Sequence, residues 1–264
     1  MDFLGPYKTQ PFSKQRELVI DIVKLGRSKH HVPILFEVDV TDARNRIRLL
    51  KRQSGGSFSF TGWSVKCIAQ AISENRQMHA LRYGQRQMVI FEEVDVLLTV
   101  QKSVEEELIP LPFVIRNANK KSALQINEDI LGAKRQDATK NTMTLGKNPW
   151  YANLYRSLPG VIRSLIGRGM MRNPFAIKRN TGTVGVSAIG MIGGFAGWAI
   201  PVGPLPIQFA LGGIVHKPGF VDGQVEGRDF LSVAFVFDHD VVDGAPVAAF
   251  TSRLVELMQS AYGL

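Results

Sequence analysis

From Thr181 to Val215 the chain runs 35 residues without a charged side chain. So long an uncharged stretch has two physical outlets: a helix crossing a bilayer, or burial within a sheet. Nine glycines together with Pro201, Pro204 and Pro206 spoil an uninterrupted lipid-facing helix. A buried strand, a loop around Gly193-Gly194 and a second buried strand over Ile207 to Ile214 suit the segment better. An integral membrane protein stays as a rival reading, one that behaviour without detergent decides.

The 264 residues fit one large domain, and 21% charged with 45% hydrophobic residues is ordinary for a globular chain. The lone Cys67 excludes an internal disulfide, and Met1 to Gln10 has no apolar signal core, so a cytoplasmic location is expected. Cys67 falls among Val65, Ile68, Ala69 and Ile72 and reads as a small buried hydrophobe. The charge is lopsided. No carboxylate lies between Asp137 and Asp222, where Lys140, Lys147, Arg156, Arg163, Arg168, Arg172, Lys178, Arg179 and Lys217 supply the whole net +9. A one-signed block speaks about partners: nucleotide phosphates, an acidic protein or an anionic membrane surface. Nucleic acid is not expected, because no groove-reading module surrounds the block.

Apolar spacing predicts helices over Ser13 to Ser28, Asp42 to Gln53, Phe60 to Asn75, Ser122 to Gln136 and Ala245 to Ser260. Strands are expected over Pro33 to Thr41, Gln87 to Phe91, Val94 to Lys102, Leu108 to Arg116 and Leu231 to Phe237. A Glu92-Glu93 turn would join the second and third of these, and Pro110 and Pro112 confine the fourth to an edge or a strand start. Asn148 to Met171 is the clearest amphipathic pattern. Trp150, Tyr151, Leu154, Tyr155, Leu158, Val161, Ile162, Leu165 and Ile166 share helical spacing, with Arg156 and Arg163 on another face and an interruption expected at Pro159-Gly160. It packs on its own domain or a neighbouring subunit, or it lies on anionic lipid.

Near the C-terminus, Asp238-His239-Asp240-Val241-Val242-Asp243-Gly244 follows an apolar run and precedes a helical one. A histidine at a strand end, with an Asp-Gly pair four residues later, is a workable mount for a general base. The strand fixes the ring, Gly eases the exit into the helix, and the imidazole titrates near neutrality. On spacing alone, an Asp-rich turn holding a hydrogen-bonded histidine is the plainer reading.

The D-H-x-x-x-D-G pattern ahead of a C-terminal amphipathic helix resembles the active-site motif of the dihydrolipoyl acyltransferases, the cores of 2-oxo acid dehydrogenase complexes. Chloramphenicol acetyltransferase shares their fold. Three further stretches are similar in the same order. Arg16 stands ahead of Val32-Pro33-Ile34-Leu35-Phe36-Glu37-Val38-Asp39-Val40-Thr41; Phe60 to Ser73 and Phe91 to Val100 follow; then comes Thr183-Val184-Gly185-Val186-Ser187-Ala188-Ile189-Gly190. The likeness runs from about Pro11 to Ser260. It implies an α/β (α+β) chloramphenicol acetyltransferase-like fold, a mixed sheet flanked by helices, assembled as a homotrimer with sites between subunits. One catalytic domain would span 1–264, with a basic insertion at about 140–180.

The resemblance assigns His239 as the base that deprotonates a thiol, and Ser187, from the neighbouring subunit, as the hydroxyl facing the developing oxyanion. Asp243 would pair with Arg16 and hold the turn, which Asp238 and Gly244 would shape. Coenzyme A enters as a substrate. No lipoyl domain, and hence no covalently bound lipoate, is seen in this chain, nor a peripheral-subunit-binding domain, so a lipoyl-bearing protein would act in trans or another acceptor would serve. Asp240 stands where those enzymes usually carry Arg, and Ala188 where they often have Asn or Ser. No His/Cys set has metal-ligand spacing, so no metal is expected. The rival within the same fold is a non-catalytic trimeric scaffold that docks a partner or membrane through the basic insertion.

Overall fold

The computed structural model describes residues 5–12, 14–53, 58–104, 107–135, 155, 157–190 and 196–264. The expectations for Trp150, Tyr151, Leu154, Arg156 and the Gly193-Gly194 loop lie outside these residues, as does the first part of the 140–180 block.

Six strands form a mixed sheet in the order β1 (His31–Asp39), β8 (Gln224–Asp238), β7 (Ile207–Val221), β6 (Val184–Ala188), β4 (Val96–Val104) and β5 (Glu107–Ile115). β6 runs parallel to β4 and β7, and the other neighbours are antiparallel. The uncharged segment thus supplies β6 and the buried first half of β7 at the sheet centre. No helix among the described residues is long and apolar enough to cross a membrane. β5 sits at an edge, where the N–H groups missing from Pro110 and Pro112 cost no central ladder bond.

Helices cover the sheet: α1 (Lys14–Arg27), α2 (Thr41–Gln53), α3 (Phe60–Glu74), α4 (Ala123–Arg135), α5 (Gly160–Met171), α6 (Pro174–Thr181) and α7 (Gly244–Gln259). α3 is buried from Thr61 to Ile72 save Gln70, which explains its nearly uncharged sequence. Ser59 caps it, and Trp63, fully buried, donates its indole N–H to the Tyr262 carbonyl at 3.0 Å. α7 sends Val247, Phe250, Leu254 and Leu257 inward, at the i, i+3, i+4 spacing of one helical face. Phe250 meets Phe209 and Phe235 of the sheet at ring separations of 6.3 and 5.7 Å. Burying each such ring is worth roughly 1.5–3 kcal/mol. Cys67 lies in this core, where burial pushes its thiol well above the ordinary range.

Three expectations are corrected. Gln87–Val89 (β3) does not turn into β4; it pairs with Leu81–Tyr83 (β2) in a separate two-stranded ribbon. β7 and β8 are twice the expected length, joined by Asp222 and Gly223, whose φ values of 49° and 82° make the tight turn that suits a twisted hairpin. The third concerns α5. Pro159 does start a new helix there, but its faces are inverted. Arg163 and Gly167 are the buried positions, whereas Val161 and Leu165 are 74% and 62% exposed. The reason is an ion-pair clamp onto α1: the Arg163 guanidinium donates to Asp21 and Glu17, both at 2.8 Å, and to the Leu158 carbonyl at 3.0 Å. Gly167, lacking a side chain, lets Leu25 close in.

Candidate active site

β8 ends at Asp238, whose carboxylate is 3% exposed. It accepts from Lys29 Nζ at 2.9 Å and from the backbone N–H of Asp240 at 3.2 Å. Its own N–H donates to the Pro206 carbonyl, and its carbonyl accepts from Val241 N–H, closing the turn. Because β1 pairs with β8 so that His31 faces Asp238, the α1–β1 junction lies alongside this turn. His239 N–H donates to the His30 carbonyl at 3.0 Å. Asp240 shares a 2.8 Å hydrogen bond with His30 Nδ1, and Arg82 lies 3.8 Å away. That hydrogen bond, with the positive charges of Arg82 and Lys29, holds the Asp240 carboxyl below the usual carboxylate range. Val241 and Val242 are buried, and the Val241 carbonyl accepts from Gln77.

The result is a turn fixed on every side but one. The His239 ring is exposed, 5.7 Å from the Phe237 ring. A group this well anchored and this accessible can exchange a proton with an incoming ligand.

Asp243 and Gly244 sit where α7 begins. Asp243 occupies the N-cap position, exposed and without a side-chain capping bond. Arg16, the partner expected for Asp243, is exposed. Arg16 lies in the first turn of α1, roughly 16 Å along the axis from Arg27 at the end that approaches the turn. Gly244 is not sterically demanded either, since a Cβ there would meet open space and its φ is not left-handed. Lys29, His30 and Arg82 do the gripping instead. Sequence reasoning passed over them because they are 209 and 210 positions from their partners in the first two cases.

Ser187 is half-buried on β6. Register places it apart from His239: Phe237 pairs with Ile207 and Ile207 with Val184, so His239 extrapolates to the row of Gly182, five positions before Ser187 and two strands away. That is roughly 19 Å within one chain. Close to Ser187, Ala188 and Gly190 line a cavity of about 550 Å³ with Arg44, Arg48, Lys51 and Lys134 around it. The N-terminus of α3, at Ser59 to Thr61, also opens into it. Cations and a helix N-terminus make this an anion-favouring space.

Comparison with known proteins finds similarity to one group of acyltransferases, at the level of a family model for the C-terminal part of the chain. Residues 169–264, which contain Ser187, His239 and Asp243, match the model of the 2-oxoacid dehydrogenases acyltransferase (catalytic domain). The lipoamide acyltransferase component of the branched-chain alpha-keto acid dehydrogenase complex of Bacillus subtilis is 27% identical over 262 residues, covering 96% of this chain and 52% of its own length. The chain thus spans about half of that relative. The likeness of fold to solved structures extends over nearly the whole chain. The dihydrolipoamide acetyltransferase of Azotobacter vinelandii superposes with a TM-score of 0.70 at 20% identity, covering 98% of this chain and 95% of its own. Chloramphenicol acetyltransferase superposes at 0.51 and 14% identity, covering 94% and 96%.

Proposed function

We propose that the protein transfers an acyl group between coenzyme A and a second acceptor, with His239 as general base. The observation that carries this is the anchored turn presenting an exposed imidazole within the family-matched residues. The study of the Azotobacter vinelandii enzyme addresses a serine, a histidine and an asparagine in its catalytic mechanism, the last two four positions apart. His239 and Asp243 have that spacing here.

The chemistry runs as a proton-balanced exchange. His239 takes the proton from an acceptor thiol, and the thiolate adds to the thioester carbonyl of acyl-coenzyme A. The tetrahedral oxyanion collapses by breaking the carbon–sulfur bond to coenzyme A, whose thiolate recovers the proton from the imidazolium. A hydroxyl facing the oxyanion contributes about 2.7–4 kcal/mol of barrier lowering in such reactions. Ser187, roughly 19 Å from His239 in its own chain, fills this role from a second copy, and a homotrimer is the assembly proposed. The basic cavity beside Ser187 suits the phosphates of coenzyme A. Asp240, clamped by His30, keeps the turn rigid while His239 changes charge.

The test is thiol release from a panel of acyl-coenzyme A esters with dihydrolipoamide among the acceptors, comparing wild type with His239→Ala. Loss of turnover by two orders of magnitude or more is expected. Turnover that survives the substitution overturns the assignment of His239. The complete absence of turnover with any acceptor favours a scaffold, to which the outward apolar positions of α5 would then be turned.

A further inference from the structure

A second basic cavity reaches the His239 turn at Asp240 and has no part in the chemistry above. The C-terminal end of α1 and the last turns of α5 border a solvent-open concavity of about 640 Å³, lined by Lys24, Arg27, Lys29, Arg168, Arg172 and Asp240. Lys29 is matched by Asp238. Lys24, Arg27, Arg168 and Arg172 form no ion pair among the described residues.

Cations at helix C-termini need some accounting before a ligand is invoked. Each helix end presents about half a negative charge, so α1 and α5 together offset about one cation. Asp240 offsets another, although it is already shared with His30 and Arg82. About two positive charges remain unmatched in one concavity. All four are exposed, and they line this concavity from two helices that the Arg163 clamp holds together. A phosphate monoester carries about −1.5 to −2 charge near pH 7, and guanidinium pairs bind it bidentately. The volume lies within the range of small-molecule sites, roughly 300–1,000 Å³.

We infer that this cavity holds the phosphate of a phosphorylated acceptor, so that the acceptor's reactive end lies beside His239. This rests on the acyl-transfer reading for the identity of the ligand, but not for the existence of the anion site. Whether the phosphate belongs to a free thiol or to a thiol arm borne on a protein, the group recognised is the same.

Calorimetric titration of the full chain tests it, with 4′-phosphopantetheine and unphosphorylated pantetheine as probes and acyl-coenzyme A present to fill the donor side. The phosphorylated probe should bind at least ten-fold more tightly, with affinity falling as salt rises. That preference should vanish in Arg168→Gln/Arg172→Gln and in Lys24→Gln/Arg27→Gln, and persist in His239→Ala, which leaves the cavity intact. Equal affinity for the two probes overturns the inference, as does a preference surviving both double variants. One-for-one displacement of the probe by acyl-coenzyme A also overturns it, because the cavity would then belong to the donor. A phosphate preference without any acyl transfer would instead sink the proposed function and leave the anion site standing. Tighter binding of the same arm on a carrier protein supports the inference and names a protein-borne source; equal binding supports it and names the free thiol.

Discussion

Arg163 falls among exposed apolar residues in the sequence, yet it is the side chain of α5 most firmly held. Asp21, 9% exposed, would be costly to bury alone, and the guanidinium meets it with a directed hydrogen bond. His79 offers a cleaner residue-scale test. It is fully buried, bonded to Thr183 Oγ1 at 2.7 Å and to the Phe91 carbonyl at 3.1 Å. Burial, then the nearby Lys178 charge, lowers its pKa to about 4. An unfolded imidazole takes its proton near pH 6.5, so between 6.5 and 4 the unfolded chain binds more protons than the folded one. Stability is therefore full above pH 6.5 and falls as the pH drops towards 4, by up to about 3 kcal/mol. Urea midpoints at pH 7 and pH 4.5 should differ less in His79→Gln than in wild type. An unchanged difference would remove His79 as the cause.

At the scale of elements, much was legible in the sequence. α1, α2, α3, α7 and β1 follow from uninterrupted periodic patterns with clear stops, and β5 from its prolines. What stayed hidden was decided by partners far along the chain. The faces of α5 depend on Glu17 and Asp21, 146 and 142 positions away. The outer halves of β7 and β8 are polar and solvated, so no apolar alternation announced them, although Asp222-Gly223 was a usable turn signal. Spacing at a strand end marked His239 and Asp243, Ser187 stood out only through a family likeness, and the α1–β1 junction that grips the turn gave no local sign. The junction between α6 and β6 supports a prediction. Gly182 has φ 72°, and a Cβ there would sit 2.5 Å from the Asp95 carbonyl oxygen. Gly182→Ala should cost roughly 1–3 kcal/mol in denaturant unfolding. Gly244→Ala, whose Cβ meets open space, should leave unfolding unchanged; equal losses at both positions would refute this reading.

For the whole molecule, the proposed mechanism, with His239 and Ser187 roughly 19 Å apart by strand register in one chain, calls for a site shared between two copies. Mixing Ser187→Ala with His239→Ala, each nearly inactive alone, should restore a fraction of wild-type turnover once subunits exchange, because some interfaces then pair an intact His239 with an intact Ser187. No recovery after demonstrated exchange would place both groups in one chain's site. The β1–β8 pairing carries a further consequence, one of timing. β7 and β8 meet through a two-residue turn and can zip within microseconds of emerging. β1, made about 185 positions before β8, has no strand to pair with until β8 exists. At about 5–20 residues per second, the ribosome leaves it waiting for roughly 10–40 s. The segment that anchors the His239 turn is thus synthesised well before its partner strand and docks only after β8 emerges.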